Sequence, residues 1–313
     1  MTNPPEFSSA TSSDCLKLIE MALVEDIGAS KMDEGVDCTT DAIVPKDSTA
    51  RAAFVSRADG VVCGVEIAKL AIEKWAPRLL LEISIADGQA VSPQQTIAVM
   101  TGPAHDILTM ERTCLNFMCR LSGISSLAQQ YAKEIEGTSA CVLDTRKTTP
   151  GWRRLEKYAV ACGGGENHRM GLYDAIMIKD NHLAFYRTQV EDQADTIPTS
   201  IAVARKWIND NQSTLPNGSK TILQLEVDTL EQLDVALKTD CDIILLDNMG
   251  CETLTKAVDM RNKTAPKILL EASGGVNLTT IKAIAQTGVE RISVGALTHS
   301  AMNFDIGLDW QIG

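Results

Sequence analysis

Four short apolar runs in the second half of the chain begin at residues 222, 243, 268 and 292, spaced 21, 25 and 24 residues apart. They read Ile222-Leu223-Gln224-Leu225, Ile243-Ile244-Leu245-Leu246, Ile268-Leu269-Leu270 and Ile292-Ser293-Val294, and helical patterns over 230–237, 254–260 and 278–287 fill the gaps. Two earlier runs, Cys141-Val142-Leu143 and Ala175-Ile176-Met177-Ile178, join the series. This alternation is the rhythm of a parallel sheet buried on both faces. Each run ends in polar or glycine positions: Asp144-Thr145-Arg146-Lys147, Lys179-Asp180, Glu226, Asp247, Glu271 with Ser273, and Gly295. Parallel α/β folds bind ligands outside the carboxyl ends of their strands, so these scattered residues are expected at one site. Period alone leaves a closed barrel and an open sheet both standing. The absence of a dinucleotide glycine fingerprint favours the barrel.

The first 120 residues read differently. Residues 1–13 are rich in Ser, Thr and Pro and are expected to be a disordered tail. A helix is predicted over 15–25 with Asp14 as its N-cap, then strands over 50–65, a helix over 67–75, strands over 79–85 and 96–101, and a helix over 107–121. The expected division is an α/β domain over 14–120 and a catalytic α/β domain over 121–300.

At 313 residues with 44% hydrophobic content, the chain can bury a core without metal or disulfide staples. Its nine cysteines are odd in number and scattered, with no CxxC pair, which suits a reducing, cytoplasmic compartment. No basic, apolar leader pattern opens the sequence, and no apolar run reaches the ~20 residues of a membrane span. The net charge of −12 argues against nucleic acid as the main partner. Against that background, residues 144–182 carry seven Lys or Arg and five Asp or Glu. A cationic island in an acidic protein suggests an anionic ligand, and arginine forks match carboxylate or phosphate oxygens in pairs.

Within this frame some residues stand out. Ser273-Gly274-Gly275 and Val294-Gly295-Ala296 each follow a strand and precede a helix, a place where bare backbone N–H groups can hold a phosphate. Two tight turns needing glycine for backbone reasons are the alternative. Glu226 and Asp247 end neighbouring strands and could place Mg²⁺, accept ribose hydroxyls or face a cationic transition state; salt bridges or caps are the plainer reading. His168, between Asn167 and Arg169, suits a polar site. His299 is a weaker candidate, and His105 and His182 have no comparable setting. Arg112 by itself reads as a solvated helix residue. No His or Cys pair has structural-zinc spacing, and Gly-x-Ser-x-Gly is absent.

The motifs Glu111-Arg112-Thr113-x-Leu115-Asn116, Thr145-Arg146-Lys147-Thr148-Thr149-Pro150-Gly151, Gly163-Gly164-Gly165-x-Asn167-His168-Arg169 and Ile178-Lys179-Asp180-Asn181-His182 follow one another in order. They continue with Leu245-Leu246-Asp247-Asn248, Glu271-x-Ser273-Gly274-Gly275 and Ser293-Val294-Gly295-Ala296-Leu297-Thr298-His299. Together they span 111–299, and the chain resembles the quinolinate phosphoribosyltransferase family. The resemblance implies an N-terminal α/β sandwich domain plus an incomplete α/β barrel, with the last residues, around Asp305–Asp309, returning to the first domain. It implies a homodimer in which Arg112 reaches the neighbouring subunit's site. It implies transfer of phosphoribosyl from 5-phosphoribosyl 1-pyrophosphate to quinolinate, with Mg²⁺ and no organic cofactor. Quinolinate would be held by Arg112, Thr145, Arg146, His168 and Arg169. Lys147 and Lys179 would hold the pyrophosphate end. Ser273, Gly274, Gly275, Val294, Gly295, Ala296 and His299 would hold the phosphoribosyl group, and Glu226 and Asp247 would face the reacting sugar.

Three rival readings stay open on sequence alone: a related enzyme with another aromatic acid as acceptor, a non-catalytic phosphosugar or dicarboxylate binder, and a Schiff-base lyase using Lys179. Residues 183–220 look longer than the family pattern. An acidic surface insertion is expected there, with a lid as the alternative.

Overall fold

The computed structural model describes residues 6–189 and 196–311. The chain divides into two compact units: one made of Met1–Gln129, Lys147–Gly165 and Leu297–Gly313, the other of Gln130–Arg146 and Glu166–Ala296.

The first unit opens with α1 (Ser9–Ile27). Its N-cap is Ser8, whose hydroxyl accepts from Thr11 N at 3.2 Å, so the helix starts inside the stretch expected to be disordered. Asp14, expected as the cap, lies in the second turn and pairs instead with Arg154 at 2.9 Å. The buried stripe is Thr11, Cys15, Ile19, Leu23 and Ile27, a strict four-residue repeat. Next come α2 (Cys38–Ile43), β1 (Thr49–Ser56), β2 (Gly60–Val61), α3 (Val65–Trp75), β3 (Leu80–Ile83), β4 (Ala90–Val91), β5 (Thr96–Pro103) and α4 (Ala104–Glu134). Residues 120 and 121, where the sequence places the domain boundary, fall inside α4. The unit also holds α5 (Arg153–Cys162) and, after the barrel strands, β12 (Ile306–Trp310). Its sheet runs β12-β1-β5-β3, all antiparallel, with Ala52 opposite Trp310 and Ser56 opposite Ile306. The last residues therefore return to the first domain's sheet, as the family resemblance implies.

The second unit contains β6 (Cys141–Leu143), β7 (Ala175–Ile178), α6 (Asp180–Arg187), α7 (Thr196–Asp210), β8 (Ile222–Val227), α8 (Leu230–Ala236), β9 (Ile243–Asp247), α9 (Cys251–Thr264), β10 (Leu269–Ser273), α10 (Ile281–Ala285), β11 (Arg291–Ser293) and the start of α11 (Ala296–His299). Its six strands pair in parallel in the order β6-β11-β10-β9-β8-β7. β6 and β7 stand at opposite edges, so the sheet is an incomplete α/β barrel. α7 is the crossover helix from β7 to β8, with Ile197, Ile201 and Ile208 buried. The expected insertion thus contains a regular helix, while Val190–Asp195, where most of its acidic run falls, lies outside the described residues.

Register separates the faces of this sheet. Leu223, Leu225, Val227, Ile244, Leu246, Leu270, Ala272 and Ile292 share one face and are buried, the apolar bed for the helices. Gln224, Glu226, Leu245, Asp247, Glu271, Ser273, Arg291 and Ser293 share the other. The period-two polar set, hidden inside apparently continuous apolar runs, lines one side of the sheet.

Candidate active site

The segment after α5 runs alongside β6. Glu166 pairs in parallel with Leu143, its N–H donates to Val142 O at 2.8 Å, and its carbonyl accepts from Asp144 N at 3.1 Å. The buried Asp144 carboxylate then accepts from His168 N at 2.8 Å and from Asn167 Nδ2 at 2.8 Å. This brings Arg169 near Arg146, which follows β6 by way of Thr145. Burial, then the Arg146 charge, lowers the Arg169 pKa below the ordinary arginine value. Arg169 Nη1 donates to Ala175 O at 3.1 Å. Among the described residues the buried Nε of Arg146 meets no hydrogen-bond acceptor. Two mutually repelling guanidiniums, one with an unsatisfied donor, form a site chemically suited to an anion with more than one oxygen.

On the adjoining strands, Lys179 at the end of β7 pairs with Glu226 near the end of β8. Asp247 ends β9 directly opposite Ser273 on β10. Asn248, held at φ 55°, donates to Asp247 Oδ2 at 2.6 Å and through its N–H to Ser273 O at 2.9 Å. That side chain explains Gly274: a Cβ there would sit 2.0 Å from Asn248 Oδ1, at a φ of +93°. A Cβ on Gly275 would meet nothing within 4 Å, so this turn is open to a ligand. Just past β11, the Val294 N–H donates to Leu143 O at 2.8 Å and its side chain is buried. Val294 thus leads from the strand to Gly295 and Ala296, and its N–H, taken by Leu143, cannot serve a phosphate.

Three candidates belong to the other unit. Arg112 projects from α4 with its side chain 64% exposed and Glu111 4.0 Å away. Lys147 is exposed, and its carbonyl accepts from Thr298 Oγ1 at 2.8 Å. His299 is exposed, with Ser300 Oγ 2.7 Å from its Nδ1. The loop after Lys147 is anchored by Glu156, fully buried on α5, which accepts from Thr149 N at 3.1 Å, Thr149 Oγ1 at 2.9 Å and Arg120 Nη2 at 2.9 Å.

Sequence reasoning placed Glu271 at a strand end with Ser273. It lies mid-strand and is fully buried, with Gln224 Nε2 and Arg291 Nε donating to its Oε2 at 3.1 and 3.0 Å and His168 Nε2 3.2 Å from its Oε1. Gln224 and Arg291, like Glu156 on α5, escaped a reading focused on strand ends. The one sequence signal for Gln224 was a polar residue at even spacing within an apolar run.

The family described as quinolinate phosphoribosyl transferase, N-terminal domain, matches residues 37–122, and its C-terminal domain matches 124–309. The chain belongs to the quinolinate phosphoribosyltransferase family. It is 39% identical over 279 residues to the nicotinate-nucleotide pyrophosphorylase (carboxylating) of Mycobacterium leprae, covering 88% of this chain and 91% of that one. It is 38% identical over 306 residues to the quinolinate phosphoribosyltransferase (decarboxylating) 1 of Nicotiana glauca, covering 94% and 82%. The solved nicotinate-nucleotide pyrophosphorylase of Francisella tularensis superposes with a TM-score of 0.84 at 33% identity, covering 99% of this chain and all of that one. Among the described residues, no helix of this family member is long and apolar enough to cross a membrane.

Proposed function

We propose that the protein transfers the phosphoribosyl group of 5-phosphoribosyl 1-pyrophosphate to quinolinate with decarboxylation, giving nicotinate mononucleotide, pyrophosphate and CO₂ for NAD biosynthesis. The observation that carries this reading is the Arg146–Arg169 pair, with its buried unsatisfied Nε, in the unit whose sheet bears Glu226 and Asp247. One carboxylate would not call for so concentrated a charge; two adjacent carboxylates on a pyridine ring would. The quinolinate nitrogen attacks C1 of the ribose as the C1–O bond to pyrophosphate breaks, and the leaving group takes the electron pair. Glu226 and Asp247 accept ribose hydroxyls and stabilise the developing oxocarbenium charge. The cationic ring then takes up the electrons of the departing carboxylate, and its carbon gains a proton. Ser273, Gly274, Gly275, Gly295 and Ala296 hold the 5-phosphate, while Lys147, Lys179 and His299 serve the phosphosugar's anionic groups. Thr145 and His168 complete the quinolinate side, His168 by fixing Arg169.

Glu226 and Asp247 suit Mg²⁺, which binds through one or two carboxylates together with substrate phosphates. Among the described residues no cluster of three His, Cys, Asp or Glu stands ready to hold a metal unaided. Bound there, Mg²⁺ would offset charge on the pyrophosphate. The exposure of Arg112 supports a homodimer in which it serves the neighbouring subunit's acceptor. Reducing, cytoplasmic surroundings suit the nine thiols, all free. A Schiff-base role for Lys179 fits poorly, since its amine is partly exposed and paired with Glu226.

The test is a product assay with Mg²⁺ and 5-phosphoribosyl 1-pyrophosphate, offering quinolinate or nicotinate separately. Nicotinate mononucleotide and CO₂ from quinolinate alone are expected. Product only from nicotinate would overturn the acceptor roles of Arg112, Arg146 and Arg169. No product from either would favour a binding protein.

A further inference from the structure

Glu271 is a fully buried carboxylate on the same sheet face as Glu226 and Asp247. Such a charge is costly to bury unless it is paired and hydrogen-bonded. Oε2 accepts from Gln224 Nε2 at 3.1 Å and Arg291 Nε at 3.0 Å, drawing in β8 and β11, and Oε1 lies 3.2 Å from His168 Nε2. The opposite ring nitrogen, His168 Nδ1, accepts from the Arg169 N–H at 2.7 Å. An Nδ1 that accepts leaves the ring proton on Nε2, facing Glu271. The imidazole, 9% exposed, bridges a buried carboxylate and the backbone of an anion-binding arginine. The His168 backbone N–H donates to Asp144 Oδ1 at 2.8 Å.

We propose that Glu271 is a positioning residue for the reaction: acting through His168, it sets the imidazole tautomer that holds the Arg169 backbone and so orients the acceptor end of the site. The inference rests on the functional reading above and deepens it. Burial opposes ionisation of Glu271, but His168 and Arg291 outweigh it and hold the carboxyl at about 2, so the charge persists at any working pH. Replacing Glu271 by Gln keeps the shape and removes the charge. The amide cannot both accept from Arg291 and Gln224 and present an oxygen to His168 Nε2, because one of its two ends has become a donor. The Arg169 N–H then loses its oriented acceptor.

Steady-state kinetics of Glu271→Gln, with each substrate varied in turn, read the effect. The KM for quinolinate rises about tenfold or more, the scale of one buried donor left unsatisfied. The KM for 5-phosphoribosyl 1-pyrophosphate stays within about twofold by the same reasoning, since the phosphate turns are untouched. Equal changes in both, or a loss of thermal stability with both unchanged, would overturn the proposal. Should the variant not fold, ¹⁵N-histidine spectra of the unmodified protein decide. The His168 signal, assigned by its absence in His168→Gln, shows the proton on Nε2 and keeps it there when quinolinate is added. A proton on Nδ1, or one displaced by quinolinate, would refute the role. A wild type that turns over no quinolinate overturns the functional reading alone, and the spectrum without substrate still tests the Glu271–His168 arrangement.

Discussion

Arg146 and Arg169 carry the acceptor reading because their geometry makes little sense without an anion. The Arg146 charge adds to burial in lowering the Arg169 pKa, and Arg146 keeps a buried donor unsatisfied. Arg146→Ala is expected to weaken quinolinate binding by about 1.5–3 kcal/mol, one charge-assisted hydrogen bond, with little change for the phosphosugar. Isothermal titration with each ligand separately checks this. Asp247→Asn tests the opposite corner. It preserves shape and should lower kcat far more than it weakens quinolinate binding; equal losses would argue against a transition-state role. Gly274 was legible from sequence as a turn glycine. That Asn248 makes it obligatory was not, because the clash involves a residue of another strand's loop.

At the scale of elements, α5 anchors the loop that follows Arg146-Lys147. Glu156→Ala would take from the Arg120 guanidinium its carboxylate, leaving it only the Ala301 and Thr298 carbonyls, and leave Thr149 without its acceptor, a loss of about 2–4 kcal/mol that urea denaturation can measure. Glu156→Gln keeps part of the network and should cost less. Gly163, just past α5, permits this packing: a Cβ there would lie 2.2 Å from Ser125 O. α3 supplies a pH-sensitive test. Asp87 accepts from Val65 N at 2.8 Å and Tyr158 Oη at 3.1 Å, and burial, only partly offset by these bonds, raises its carboxyl to about 6. A folded-state pKa above the unfolded value of ~3.9 contributes stability that is full below that value and lost as pH rises through about 6. Wild type should therefore lose about 2 kcal/mol between pH 4 and 7 relative to Asp87→Asn, whose amide can satisfy both partners without ionising. Parallel urea titrations of the two proteins would measure it. Glu271 acts in the opposite sense, its contribution present above the unfolded carboxyl value and lost only as pH falls toward about 2.

Across the whole molecule, the chain crosses repeatedly between its two units, and β12 closes the first sheet from the far end of the sequence. Truncation after Asn303 removes the buried Phe304 and Ile306 and leaves β1 as an edge. The expected cost is about 3–6 kcal/mol from these two side chains, read as a lower melting temperature. The strand–helix rhythm after residue 140 was legible because a parallel strand needs a long crossover, which imprints itself on the spacing of apolar runs. α7 went unpredicted inside the stretch read as an acidic surface insertion, because the polar residues around it masked Ile197, Ile201 and Ile208. The extent of α1 escaped because Ser- and Thr-rich composition suggests disorder, whereas Ser8 and Thr11 are here a cap and a buried contact. By itself the sequence determined the parallel architecture, the anionic character of the ligand and the strand-end residues, since periodicity and charge are local properties of a chain. Tertiary structure alone decided that Glu271 is buried rather than at the mouth, that His168 turns one nitrogen to it and the other to Arg169, and that Arg146 keeps an unsatisfied donor. Those outcomes depend on register between strands far apart in sequence, and register is set only when the sheet assembles.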